Sequence, residues 1–238
     1  MKNQYFGDVN DYKKYCIIRL LAQDLGLSTT VCWMLTPDDA RGDGRRVGYL
    51  KKPRVWRKYD PVLFDYLKSY VVDYGRRTIK VVQNNAVLGN CNFFDRIITD
   101  DPKDRADYFL KLSDITKNSD VVFLDPDNGL EVASVPYGGK NSSKYVYQQD
   151  VRNAYESGCS VLVYQHFPRR PHDKFVKDVI DRFEGIRGLG TVVSFCTSTV
   201  VFFLLLHKWH ENVLKKGPGV TGKRFDGLAD ISFHDLRS

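Results

Sequence analysis

Near its middle the chain runs Asp120-Val121-Val122-Phe123-Leu124-Asp125-Pro126-Asp127-Asn128. Four consecutive apolar residues bounded by acids are typical of a short strand that is buried on both faces, as in parallel sheets. Pro126 stiffens the turn that follows the strand. Three carboxylates, those of Asp125, Asp127 and Glu131, fall within seven residues. Clustered carboxylates repel one another unless a cation or a donor holds them, so this turn is the first candidate for a working site.

Similar strand patterns recur along the chain, with helical patterns between them. Strands are predicted over residues 29–35, 78–82, 120–125 and 160–165, and helices over 11–25, 60–70, 104–112, 144–157 and 173–183. Residues 191–194 and 199–207 predict an antiparallel hairpin, and the glycine-rich tail after Lys215 predicts a loop. This order predicts an α/β, Rossmann-like fold with a mostly parallel sheet, helices on both faces and a C-terminal antiparallel hairpin. We expect residues 1–238 to form a single domain.

The polar loops of this predicted sheet lie at one edge. Ligands of such sheets bind beyond the carboxyl ends of the strands, which here means the loops after Leu35, Leu124 and Gln165. Glycines let the backbone approach a ligand, histidine carries protons near neutral pH, and arginine binds phosphate. The candidate site residues are therefore Asp38, Asp39, Gly42 and Gly44 for a cofactor, and Asp125, Asp127, Asn128 and His166 for chemistry.

The positive charge of the chain is concentrated in one segment. The net charge is +7, and residues 41–58 hold eight Lys and Arg side chains against the single acid Asp43. With Tyr49 in the same segment, this composition suits phosphate groups and stacked bases, so nucleic acid is the predicted partner. The predicted contacts are Arg45, Arg46, Lys51, Lys52, Arg54, Trp56, Arg57, Arg169 and Arg170. Residues 41–58 are interpreted as a basic loop segment, and the polar-aromatic residues 1–10 as a lid or arm.

Composition argues against several other classes of protein. The longest apolar run, Val200–Leu206, has seven residues, whereas a membrane helix needs about 20. Residues 1–5 lack the apolar core of a secretion signal, so we expect a cytoplasmic protein. The five cysteines include no C-x-x-C pair, which disfavours zinc-ribbon and thioredoxin-type sites. His207 and His210, without an acid or thiol nearby in the sequence, are predicted to be surface residues.

Taken in order, these features resemble the class I S-adenosylmethionine-dependent methyltransferases. The nearest likeness is to the group that contains the ribosomal RNA large-subunit adenine-N6 methyltransferases and the three-Cys-motif partner proteins. The resemblance rests on the polar segment Gly7–Lys14 before the first strand, the loop Gly42-Asp43-Gly44-Arg45, the turn Asp125-Pro126-Asp127-Asn128 and the terminal hairpin. It implies that the glycine loop binds S-adenosylmethionine and that Asp125 lies beside the transferred methyl group.

The chain departs from the pattern of that group at two positions. The acid expected at the end of the first strand is replaced by Met34, Leu35 or Thr36, and acids follow only at Asp38 and Asp39. The aromatic residue expected to stack on the target base is replaced by Asn128. A base-amino methyltransferase needs such a platform and a polar acceptor for the amine. Asp125 is the candidate acceptor, and the candidates for the platform are Tyr137 and Phe167.

Three hypotheses for function follow. The first is a methyltransferase-like protein that uses S-adenosylmethionine on nucleic acid. The second is a nuclease or other phosphoryl hydrolase that depends on Mg²⁺ or Mn²⁺, with the metal on Asp125, Asp127 and Glu131 and with His166 as the general acid or base. The third is a non-catalytic nucleic-acid-binding module that keeps the fold. The oligomeric state is left open by the sequence.

Overall fold

The protein is represented by a computed structural model, which describes residues 1–39, 42, 44–217 and 225–236. Within these residues the main sheet has seven strands, in the spatial order β2-β1-β3-β6-β8-β7-β9. A separate small sheet pairs β4 with β5. The strand bounds are β1 (Thr29–Cys32), β2 (Cys91–Phe94), β3 (Val121–Leu124), β4 (Gly129–Leu130), β5 (Tyr145–Val146), β6 (Ser160–His166), β7 (Thr191–Cys196), β8 (Val200–Leu206) and β9 (Asp230–Asp235).

The core of the main sheet is parallel. Strands β2, β1, β3 and β6 pair in parallel, whereas β8 runs antiparallel to both β6 and β7. The predicted mostly parallel sheet and C-terminal hairpin are therefore confirmed. From β1 the chain crosses to β2 on one side and then returns to β3 on the other side of β1. The crevice between the ends of β1 and β3 is therefore the topological switch point, where ligands of such sheets bind.

The helices begin at residues that cap them. Asp8, Asp60 and Asp101 each accept a backbone N–H in the first turn of a helix, which satisfies donors that the helix itself leaves unpaired. Helix α1 continues into a wider π-helical turn at Leu20–Asp24, and α3 into another at Ser69–Asp73. The helix bounds are α1 (Val9–Arg19), α2 (Pro53–Trp56), α3 (Pro61–Lys68), α4 (Lys80–Gln83), α5 (Pro102–Thr116), α6 (Gln148–Glu156), α7 (His172–Asp181) and α8 (Lys208–Lys216).

Helices cover both faces of the sheet. One apolar cluster joins α1 and α3 to Val121 and Phe123, and a second joins α5, α6 and α7 to Val122 and Leu124. Neighbouring residues of β3 thus pack into opposite clusters, because successive side chains of a strand point to opposite faces. The prediction of helices on both faces is confirmed. No helix in the described part of the chain is long and apolar enough to cross a membrane.

The strand predicted at 78–82 is wrong. These residues lead into α4, and the second strand is β2 at Cys91–Phe94. Ile79, Val81 and Val82 are buried as a helical turn, and the backbone N–H of Ile79 donates to Asn3 Oδ1. The β-branched composition that suggested a strand is satisfied by burial in the core instead, so tertiary packing overrides local propensity.

The tail was also predicted incompletely. Residues 230–235 form β9, which pairs with β7 at the sheet edge. Most of its side chains are exposed, so it lacks the apolar alternation by which a strand is recognised. The predicted loop residues 218–224 lie outside the described residues, as do Arg41 and Asp43. The basic segment is not a plain loop, because it contains a 3₁₀ turn at Gly48–Lys51 and helix α2.

Candidate active site at the carboxyl edge of the sheet

A cavity of about 340 Å³ lies at the carboxyl edge of the parallel strands. It brings together parts of the three loops that the sequence singled out. Its lining includes Asp125-Pro126-Asp127-Asn128 after β3, His166 at the end of β6, and both Gly44 and Arg46 from the segment after β1. The volume is within the range of pockets that hold one small molecule. The same cavity is also lined by Asp11, Lys14, Tyr5 and Tyr164, which were not among the predicted site residues.

A buried ion-pair cluster forms the floor of the cavity. The Nζ atom of Lys14 lies 2.9 Å from Asp11 Oδ1 and 2.7 Å from Asp125 Oδ2, and the side chains of all three are at most 4% exposed. Helix α1 supplies Asp11 and Lys14 three residues apart, so both project from one face. The rings of Trp33 and Tyr164 lie over the ammonium group, with centroids 5.9 and 5.2 Å away. Lys14 thereby fixes the Asp125 carboxylate from within the protein.

The pKa values show which charges this cluster maintains. Burial alone would lower the pKa of Lys14, but Asp11 and Asp125 outweigh it and raise that pKa to about 12. Burial raises the pKa of Asp11 to about 6 in spite of its contact with Lys14. Lys14 therefore stays charged at neutral pH with Asp11 and Asp125 both as its counter-ions, and its contact with Asp125 is the shorter of the two.

The first residues of the chain occupy the crevice between β1 and β3. The amino group of Met1 donates to the backbone oxygens of Met34 and Asp125, each at 3.1 Å, and the N–H of Thr36 donates to Met1 O. Burial lowers the pKa of that amino group. The ammonium group of Lys2 contacts Asp39 and lies 3.8 Å from Asp127 Oδ2. This segment thus covers the switch point of the sheet.

The acids expected to bind a cofactor are engaged by the same segment. Asp38 accepts the backbone N–H of Gln4, and Asp39 accepts the side-chain amide of Gln4 as well as the Lys2 ammonium. Neither acid lines the cavity. Gly44 has φ +72°, and a Cβ at this position would collide with the ring of Tyr5. The need for glycine at position 44 therefore comes from packing against Tyr5. Around Gly42 the space is open.

His166 lies at the rim of the cavity with an exposed side chain. Its Nε2 is 3.1 Å from the hydroxyl of Tyr164, and the two rings meet edge to face. Partial desolvation lowers the pKa of His166, and the nearby cations Lys14 and Arg46 act in the same direction. The imidazole is therefore neutral at physiological pH, when it can accept or donate a hydrogen bond but carries no charge.

The three acids of the metal hypothesis do not come together. Asp125 and Asp127 line the cavity, whereas Glu131 lies elsewhere, 3.3 Å from Arg182 and accepting the backbone N–H of Gln148. Among the residues that the structure describes, no group of three or more His, Cys, Asp or Glu side chains could hold a metal ion. The hypothesis that Asp125, Asp127 and Glu131 jointly bind a metal therefore lacks its geometry.

The predicted stacking residues also lie away from the cavity. Tyr137 packs edge-on against Tyr147, and Phe167 stacks on His172 with ring centroids 3.6 Å apart. The aromatic rings in the cavity are those of Tyr5 and Tyr164. Tyr5 belongs to the polar-aromatic segment already noted, whereas Tyr164 was hidden within an apolar strand pattern.

The predicted nucleic-acid contacts are mostly exposed. Trp56 is the exception, because it packs edge-on against the rings of Tyr12 and Tyr49. Arg57 is paired with Asp65, and Arg170 with Asp178, both at 2.7 Å and exposed. The other predicted contacts are exposed, namely Arg45, Arg46, Lys51, Lys52, Arg54 and Arg169.

Comparison with known proteins does not assign a family. No protein-family model matches the chain, and no curated protein matches its sequence. One solved structure, a protein from Legionella pneumophila strain Philadelphia 1 with the family model DUF519, is similar in fold over 96% of this chain and 97% of that chain. The two are 10% identical, with a TM-score of 0.46. At this distance, function rests on the site geometry alone.

Proposed function

We propose that this protein is a methyltransferase-like enzyme that uses S-adenosylmethionine to modify an amino group of a nucleic acid, with Asp125 at the reaction centre. The observation that carries the proposal is the cavity itself. It joins the Asp125-Pro126-Asp127-Asn128 turn to Gly44 and Arg46 at the carboxyl edge of a parallel sheet. Function in such folds is built at this edge.

The cavity residues suit a cationic or donor-rich ligand. Asp127 Oδ1 is buried and makes no hydrogen bond within the described residues; its near neighbour there is the Met1 amino group at 3.5 Å. S-Adenosylmethionine would supply a sulfonium-activated methyl group, and a carboxylate oxygen that lacks a hydrogen bond is complementary to that positive charge, while Asp127 Oδ2 accepts from the Thr36 hydroxyl at 3.3 Å. Asp127 and Asn128 are the residues that would hold it, together with the backbone of Gly44, which lines the cavity.

Asp125 is suited to orient an amine. Its carboxylate lines the cavity while Lys14 holds Oδ2, so the group is fixed before a substrate arrives. A fixed acceptor aligns the amine lone pair, and positioning accounts for most of the acceleration that methyl transfer requires. The rings of Tyr5 and Tyr164 supply aromatic surface in the same cavity, where a flipped base needs it.

The segment that covers the crevice has a defined part in this proposal. A cofactor bound between β1 and β3 competes with the contacts of Met1 and Lys2, so this segment acts as the lid. Lys2→Ala removes the ion pairs of the Lys2 ammonium with Asp39 and Asp127. We expect this variant to bind S-adenosylmethionine more tightly than wild type, because the cofactor then has fewer contacts of the N-terminal segment to displace.

Calorimetry and methyl-transfer assays test the proposal. We expect S-adenosylmethionine to bind, and tritium to pass from labelled cofactor to RNA or DNA. Asp125→Asn should reduce transfer by about 10²-fold or more while cofactor affinity changes little, as for the loss of one oriented polar group. Asp107→Asn, at an exposed carboxylate on α5, is the matched control. Circular dichroism establishes that each variant is folded. The absence of cofactor binding would refute the proposal.

A second candidate is a non-catalytic nucleic-acid-binding module. The observation that favours it is that the chain's own Met1 and Lys2 already occupy the crevice and contact Asp39 and Asp127. This candidate predicts salt-dependent nucleic-acid binding without any cofactor binding. The same calorimetric titration separates the two, because only the methyltransferase proposal requires heat on addition of S-adenosylmethionine.

A further inference from the structure

Part of the connection between β1 and β2, residues 45–80, is strongly basic. Residues 45–80 hold eleven Lys and Arg side chains and three Asp side chains, a net charge of +8 against +7 for the whole chain. Of the three acids, Asp60 is buried as the cap of α3, and Asp65 is paired with Arg57. Most of the Lys and Arg side chains of residues 45–80 are exposed, so the surface of this part of the connection is strongly positive.

A row of tyrosines lies on the same connection. Tyr66, Tyr70 and Tyr74 are spaced four apart along α3 and its π-helical extension, with successive ring centroids 4.7 and 5.7 Å apart. Tyr66 is anchored, since its hydroxyl donates to Val81 O at 2.6 Å. Tyr74 is 66% exposed at the other end of the row. Much of its ring is therefore open to a ligand, supported from one side by Tyr70.

Hydrogen bonds of Arg77 connect the exposed end of this row to the wall of the cavity. Arg77 donates to Phe6 O at 2.9 Å and also to Gly44 O, and Gly44 lines the cavity. Arg76, which is exposed, donates its backbone N–H to Tyr70 O. The order along the surface is therefore the tyrosine row, then Arg76 and Arg77, then the cavity.

We infer that the tyrosine row, Tyr66, Tyr70 and Tyr74, is a docking surface for single-stranded nucleic acid, with a base stacked on Tyr74 and the phosphates on the surrounding cations. The surface leads the strand toward the cavity. This inference deepens the proposed function and rests on it for the destination of the strand. Single strands are favoured over duplexes because a base can stack on an aromatic side chain only when it leaves its own stack.

Fluorescence anisotropy without cofactor tests this surface. The probes are unstructured 12-nucleotide RNA and DNA strands and the corresponding duplexes. We expect Tyr74→Ala to weaken single-strand binding by about fivefold or more, the lower limit for loss of one base–aromatic stack. Tyr74→Phe keeps the ring and should bind as wild type does. Tyr137→Ala, at an exposed tyrosine on another surface, should also leave binding unchanged.

The salt dependence supplies a second, independent readout. Arg76→Ala should reduce the slope of log affinity against log salt concentration by roughly 0.7, the value for one phosphate contact on a single strand. Single-strand binding that Tyr74→Ala leaves unchanged would overturn the inference. Duplex binding as tight as single-strand binding and insensitive to Tyr74→Ala would also overturn it. Because no cofactor is present, these results are independent of whether the cavity binds S-adenosylmethionine.

Discussion

Replacement of Lys14 by Met tests the ion-pair cluster beneath the cavity. Methionine keeps an unbranched chain of similar length but removes the charge that holds Asp11 and Asp125. Two buried carboxylates then lose the cation that contacts both of them. We expect a large loss of stability, because an unpaired charge inside a protein retains the cost of its desolvation without the attraction that offset it.

The magnitude follows from the distances. At 2.7 and 2.9 Å, with an effective dielectric constant of ~20, each contact of Lys14 contributes about 6 kcal/mol of attraction before desolvation is counted. The pKa of Lys14 rises only from 10.5 to about 12, so the net preference for its charged form is on the order of 2 kcal/mol. Burial therefore cancels most of the attraction. Removal of the cation alone typically costs about 3–5 kcal/mol, and we expect Lys14→Met to fall in that range at pH 7.5.

Urea denaturation of Lys14→Met beside Lys13→Met is the assay. Lys13 is also buried on α1, but its ammonium donates to Thr197 Oγ1 and burial lowers its pKa to about 8. Its charge therefore costs stability at neutral pH. We expect Lys13→Met to lie within about 1 kcal/mol of wild type or to be more stable, since the lost hydrogen bond contributes only about that much.

The pH dependence gives Lys14→Met a second signature. Burial already raises the pKa of Asp11 to about 6 while Lys14 holds it down, so without Lys14 that pKa rises further and the folded variant binds a proton more readily. Stability should therefore increase, relative to wild type, as the pH falls from 7.5 to 5.5. In wild type the stability from Lys14 is fully present below pH 10.5 and is lost only as the pH rises through about 12. A loss below about 1 kcal/mol at pH 7.5, or equal effects at Lys13 and Lys14, would refute the reasoning.

Three further outcomes are expected in denaturation experiments. Gly44→Ala should lower the free energy of unfolding by at least about 2 kcal/mol, because the residue has a positive φ and its Cβ would collide with Tyr5. Gly42→Ala should change that free energy by no more than about 0.5 kcal/mol, and equal losses at the two glycines would contradict the packing role of Gly44. Arg105→Met should lower the free energy of unfolding by about 3–5 kcal/mol, because the arginine is fully buried in an ion pair with Asp150. A change under about 1 kcal/mol would count against this. Burial lowers the pKa of His210, so the stability contributed by the neutral imidazole is present above pH 6.5 and is lost as the pH falls below 6.5. The stability of His210→Asn should therefore decline less than that of wild type between pH 7.5 and 5.5. An identical decline would disprove this.

The prediction that His207 and His210 are surface residues was wrong for His210. Its Nδ1 is 2.9 Å from Ser160 Oγ, and its Nε2 is 3.2 Å from Asp120 Oδ1. Only 3% of the residue is exposed. The acid that was missing from its sequence neighbourhood is 90 residues away along the chain. Ser160 is itself fully buried and also accepts the N–H of His207, so the arrangement attaches α8 to the sheet.

Local pattern determined much of the fold. The apolar run at 121–124 became the buried strand β3, and the apolar residues at 191–206 became the hairpin of β7 and β8. Asp8, directly before the first helix, caps it by accepting the N–H of Asn10. Each of these features depends on the apolar sequence of a strand or on a cap and the turn beside it, so a short stretch of sequence contains its cause.

Tertiary structure decided the content of the site. Lys14 and Asp125 are 111 residues apart, and Met1 reaches Asp125 across 124 residues. Glu131 is only six residues from Asp125 but lies outside the cavity. The sequence by itself determined that acids, glycines and a histidine follow the strands at one edge of a sheet. Which of them share a cavity, and which cation neutralises them, depends on how helices and loops distant in sequence pack over that edge, because burial and charge pairing are set by neighbours in space.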